Sequence, residues 1–98
     1  MNSEKSNELP GTYLGQMLPG ETGIVQSVGG LTHHDPLLEE RLREIGFEEG
    51  LPVSVVHQAP LGRDPIAVRV DQTLVALRRC EADLICVNTA ISIDEVPA

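Results

Sequence analysis

Two cysteines, three histidines, a carboxylate-rich helix and a proline-bracketed loop hold the chemistry available to this chain. Cys80 and Cys86 are spaced too widely for a C-x-x-C redox or zinc motif, and read as small buried or half-buried apolar residues of a reducing compartment. A cysteine–histidine dyad would need a base held against the thiol, and nothing in the spacing brings one there. His33 and His34 are adjacent, so their side chains diverge on most backbones and share one metal poorly; an exposed or capping role is expected. His57 falls inside a β-branched segment as an edge or core-rim residue. Glu40 and Glu44 lie one helical turn apart and could share a cation, but Glu39 with Arg43, Glu40 with Arg43 and Glu44 with Arg41 offer ordinary ion pairs on a wet face. A hard cation wants oxygens from converging elements, which one helix face does not supply. The sequence contains no G-x-x-x-x-G-K-[ST], no G-x-S-x-G and no H-E-x-x-H. No catalytic residue, cofactor site or metal ligand set is assigned, and the chain does not read as an enzyme.

Binding chemistry is better represented. Ala59-Pro60-Leu61-Gly62-Arg63 presents an apolar leucine between residues that stiffen the backbone, so the loop's bound shape is largely set before a partner arrives. Leu61 is either an anchor for a partner or a plug for one end of the core. Arg78 and Arg79 are the only adjacent basic pair on an acidic chain; they either steer an acidic partner or stand as solvated charges at a strand end. Pro60, Leu61, Gly62, Arg63, Arg78 and Arg79 are therefore the candidate partner-binding residues.

The elements that must hold these residues are marked by periodicity. Leu38, Leu42 and Ile45 recur at helical steps while Glu39, Glu40, Arg43 and Glu44 take the opposite face. Asp35 is placed to cap this helix, with Pro36 at its first position; Gly46 is placed to end it, with Phe47 folding back on Leu42. LPVSVVHQ then reads as a strand with Val53, Val55 and His57 on one face and Ser54, Val56 and Gln58 on the other. Pro60 and Pro65 interrupt the ladder on either side of the loop. IAVRV alternates, with Ile66, Val68 and Val70 inward, and Asp71-Gln72 forms a two-residue hairpin connection to TLVALR. Arg79 to Asp83 reads as a helical or turn segment and LICV as a last strand. Upstream, Tyr13, Leu14, Met17 and Leu18 suggest one helical turn, and Pro19-Gly20 bends the chain into TGIVQSV. There Ile24 and Val28 share parity with Gln26, and Val25 with Gly23 and Ser27.

About five short strands with one helix between the first and second make a mainly β domain, expected to curl into a small, partly open barrel because closure removes exposed edges. The domain is expected over 12–88, after a lead-in over 1–11 that lacks periodicity and is expected to be disordered, and before a weakly alternating tail over 89–98. At 98 residues the chain can bury a small core without metal or disulfide support. Seven basic residues against fifteen acidic give a formal charge of −8, which repels phosphate backbones and anionic lipid. Tyr13 and Phe47 are its only aromatics, so there is no platform for stacking bases. No apolar run approaches the roughly 18 residues of a membrane span, and the N-terminus lacks a signal-peptide core, so a cytoplasmic location without membrane insertion is expected.

RLREIGFEEGLPVSVVHQAPLGRDPIAVRV, followed by LVALRRCEADLICV, resembles the FeoA family, over roughly Leu18 to Val87. MLPGETGIV matches the family's opening, where a Pro-Gly turn enters the first strand. One departure is Arg63, which stands between Gly62 and Asp64 where the family commonly runs from glycine directly to Asp-Pro. The resemblance implies an SH3-like barrel in a cytoplasmic accessory protein of ferrous iron uptake, acting by contact with the FeoB transporter, on its GTPase-bearing cytoplasmic portion. A reading of another class is a metal-responsive regulatory module that binds ferrous or another transition-metal ion directly, since the same SH3-like domain occurs in iron-dependent repressors. Against a DNA-bound role, the chain has no helix-turn-helix and no basic face. Self-association into a homo-oligomer is compatible with either reading.

Overall fold

The computed structural model describes residues 11–29 and 35–89. His33, His34, most of the lead-in and most of the C-terminal tail fall outside them. Six strands form one antiparallel sheet: β1 Thr12–Tyr13, β2 Thr22–Val28, β3 Pro52–Gln58, β4 Ile66–Val70, β5 Thr73–Leu77 and β6 Ile85–Asn88, in the order β1-β6-β2-β3-β4-β5. A 3-10 turn at Leu14–Gln16 follows β1, helix α1 Pro36–Ile45 connects β2 to β3, and the short helix α2 Arg79–Ala82 connects β5 to β6. The small open sheet with one inserted helix agrees with the sequence reading. It gains a strand because Thr12 and Tyr13 pair with Val87 and Cys86, where the sequence suggested a helical turn; only Leu14–Gln16 turns. That pairing is nonlocal, and two residues carry too little pattern to announce it.

The limits of α1 follow from its capping residues. Asp35 Oδ1 accepts the Leu38 N–H at 3.2 Å, and Pro36 opens the first turn, where a missing N–H leaves nothing unpaired. At the other end Gly46, at φ +134°, donates to the Arg43 carbonyl at 3.1 Å while the Phe47 N–H donates to the Leu42 carbonyl at 3.1 Å. These paired bonds make a Schellman ending, with Phe47 and Leu42 both buried.

The sheet supplies most of the core: Val25, Val28, Val53, Val55, Ile66, Val68, Val70, Leu77, Ile85 and Val87, joined by Leu14 and Met17 from the first turn and Ala82 from α2. Strict alternation fails twice. The β2–β6 register shifts between Val25 and Ser27, and the β3–β4 register between Val55 and His57, so Gln26 and Val56 are extra residues. Each bulge reverses the parity beyond it. Val28 thus turns inward with Val25, and His57, grouped with Val53 and Val55 by alternation, is exposed instead of lying at the core rim. In the β4–β5 hairpin the two-residue connection stands as expected, and Asp71 supplies its positive φ, +55°.

Candidate functional site

The loop between β3 and β4 is tied down at several points. Its base is closed by the Ala59 N–H donating to the Pro65 carbonyl at 3.0 Å. Gly62 and Arg63 both take positive φ, +77° and +58°, and the Asp64–Pro65 peptide is cis. Asp64 Oδ1 accepts the Arg79 N–H at 2.9 Å, which pins the loop to the first turn of α2. At the same turn Glu81 Oε1 accepts the Arg78 N–H at 3.0 Å. Leu61, at the tip, is 88% exposed, so it is no plug for the core.

Arg79 joins the parts. Its Nε donates to the Arg63 carbonyl at 2.8 Å, Nη1 to the carbonyls of Gly15 at 3.0 Å and Met17 at 2.8 Å, and Nη2 to Gln58 Oε1 at 2.7 Å. One planar fork thereby binds the loop, the 3-10 turn and the end of β3, a task that needs fixed donors in several directions and that lysine cannot perform. The turn also sits close against α2: a Cβ at Gly15 would collide with the Asp83 carboxylate and the Arg79 carbonyl. Gln16 Nε2 donates to Asp83 Oδ1 at 3.3 Å across the same contact.

Between loop and turn lies an open groove of about 320 Å³ lined by Gly15, Gln16, Leu18, Gly62, Arg63 and Arg79. Of the candidate residues, Pro60, Leu61, Gly62, Arg63 and Arg78 are exposed, whereas the Arg79 side chain is half-buried with its donors turned into the protein. The adjacent arginines therefore do different things: Arg79 braces, and Arg78 carries a solvent-facing charge. Sequence reasoning missed Gly15, Met17, Gln58, Asp64 and Asp83 as the bracing partners. The bonds of the first four to Arg79, and of Asp83 to Gln16, span stretches of chain that no local pattern connects.

The other chemistry-bearing residues stay apart. Cys80 is exposed, against the expectation of burial, because it lies on the outer side of α2; Cys86 is half-buried, with Sγ 3.8 Å from Gln26 Oε1, and both thiols are free. Glu40 and Glu44 face solvent. Arg43 pairs with Glu39 at 3.2 Å as expected, and also makes two bonds to Glu49, at 3.0 and 2.9 Å, which clamp α1 to the turn before β3. Those guanidinium bonds first, then a backbone hydrogen bond, push the Glu49 carboxyl down to about 2, and the two carboxylates hold Arg43 above its ordinary value. Among the described residues no three His, Cys, Asp or Glu side chains gather as a metal site, and no helix is long and apolar enough to cross a membrane.

The family described as FeoA domain matches residues 12–89. The chain belongs to the FeoA family. FeoA from Stenotrophomonas maltophilia, a crystal structure complexed with zinc and described as an SH3 domain protein, is 35% identical, with 81% of this chain and 92% of that one covered and a TM-score of 0.69. The solution structure of FeoA from Chlorobium tepidum is 32% identical, covering 82% of this chain and 71% of that one, also with a TM-score of 0.69. A manganese-dependent transcriptional repressor is similar in fold, at 23% identity and a TM-score of 0.71 over 84% of this chain and 43% of its own. A comparison with curated protein sequences found no match. The SH3-like fold expected from the resemblance is thus the fold of this FeoA protein, and FeoA proteins are accessories of ferrous iron transport.

Proposed function

We propose that this FeoA protein is a cytoplasmic accessory of ferrous iron uptake that acts without a catalytic step, by docking on the GTPase-bearing cytoplasmic portion of the FeoB transporter. The docking face is the Pro60–Arg63 loop with the groove beside it. The observation that carries this reading is a leucine 88% exposed at the tip of a loop that Arg79 holds at the Arg63 carbonyl and the Asp64 carboxylate while anchored itself to the 3-10 turn and the end of β3. An exposed apolar residue on a rigid support adds nothing to the core, but it can bind with little further loss of loop entropy. Amide shift mapping of the protein titrated with that portion of FeoB tests the reading. Perturbations clustered over Pro60–Pro65 support it, and perturbations confined elsewhere discard the loop.

A second reading, direct binding of ferrous or another transition-metal ion, draws on the zinc complex of the Stenotrophomonas relative. Calorimetry with ferrous ion under anaerobic conditions separates the two: stoichiometric heat supports a metal-responsive module, and none supports contact alone.

A further inference from the structure

The charge of the docking groove differs from that of the molecule around it. The chain carries a formal −8, and the shallow groove along α1 is lined by Glu39, Glu40 and Glu44 with the cation Arg43 among them, while another, beside Thr12, includes Glu21. Among the described residues, the groove between the loop and the 3-10 turn is lined by Arg63 and Arg79 and by no carboxylate. Carboxylates on the segments around it are hydrogen-bonded to neighbouring groups: Asp64 Oδ1 to the Arg79 N–H, Asp83 Oδ1 to Gln16, Glu81 Oε1 to the Arg78 N–H and Glu21 Oε1 to the N–H of Leu18 on the groove wall. Arg43, by contrast, is held between two glutamates. Among the described residues no carboxylate lies within ion-pair distance of the Arg63 or Arg78 guanidinium. Apolar surface stands beside these charges, with Leu18, 45% exposed, on the groove wall and Leu61 next in sequence to Gly62.

From this we infer that the groove receives an acidic peptide segment of the partner, with an apolar side chain lodged between Leu18 and Leu61 and flanking carboxylates paired to Arg63 and Arg78. The inference rests on the docking reading above and adds the chemistry of the bound segment. The departure at Arg63 puts an exposed cation on the wall of this groove, and the exposed Arg78 stands in sequence beside the bracing Arg79. Positive charge on the docking face of a molecule of net negative charge orients it toward an acidic target, while the acidic α1 face repels that target in wrong poses.

The test is titration of the whole chain with the cytoplasmic GTPase-bearing portion of FeoB, comparing wild type, Leu61→Ala, the Arg63→Glu/Arg78→Glu double variant and the Arg63→Lys/Arg78→Lys double variant. The glutamate variant is expected to weaken binding by at least about tenfold and the lysine variant by less than about threefold, with wild-type affinity falling on going from about 50 to about 300 mM salt. Salt-independent affinity, unchanged in the glutamate variant but weakened by Leu61→Ala, would overturn the acidic segment and leave docking intact. Loss of effect at Leu61 as well, with shifts away from Pro60–Pro65, removes both. Inorganic phosphate alone shifting the Gly15, Leu18, Gly62 and Arg63 amides would make the groove a small-anion site and also overturn the inference, as would the same shifts on simply concentrating the protein, which would assign the groove to a second copy.

Discussion

At the scale of single residues, the fold depends on what Arg79 does with its donors. Arg79→Lys keeps the charge but cannot reach the Arg63, Gly15 and Met17 carbonyls and Gln58 together, so a cost of about 2 kcal/mol in urea unfolding is expected, with the largest amide shifts at Gly62–Asp64. Glu49 is a second such residue, of smaller effect because it is largely solvated. Its folded pKa, about 2, lies below the ordinary 4.5, so the stability it contributes is present above 4.5 and is lost as pH falls toward about 2. In Glu49→Gln the acid limb of the stability–pH curve should therefore be shallower across that window, and molar salt should shrink the difference from wild type. Equal slopes in the two proteins would mean that the clamp seen between Arg43 and Glu49 is not held in solution.

At the scale of elements, α1 and the loop illustrate opposite relations between pattern and structure. Every device at the ends of α1 was legible in sequence: Asp35, Pro36, Gly46 and Phe47 act through neighbours within a turn or so, and local chemistry suffices. Phe47→Ala removes the buried side chain that seals this ending, and a loss of about 3–5 kcal/mol is expected by chemical denaturation. The two bulges show where pattern fails. Gln26 and Val56 reverse the facing of everything after them, yet a run such as TGIVQSV has no residue that announces an insertion. The decision depends on the partner strand, and the exposure of His57 follows from it.

At the scale of the molecule, the core and the proposed contact loop are different surfaces. The core closes over the valine-rich sheet with Phe47, Leu14 and Met17, and Leu61 stands outside it. Leu61→Ala should therefore change unfolding free energy by no more than about 0.5 kcal/mol while weakening docking to FeoB, a separation read by running denaturation and titration on the same preparation. A large loss of stability in that variant would return Leu61 to the core.

The order of apolar steps, caps and turns by itself determined a small antiparallel β domain with one amphipathic helix, and the same run of residues pointed to the FeoA family. Those properties depend on interactions between near neighbours, where 3.6- and 2-residue periods and glycine or proline geometry leave few alternatives. Which arginine braces and which faces solvent, that Cys80 is exposed, and that an acidic chain holds a groove lined by Arg63 and Arg79 were decided by the tertiary structure alone. In each case the deciding contact joins segments far apart in the chain, such as Gly15 with Arg79, and their meeting depends on the register and bulges of the sheet.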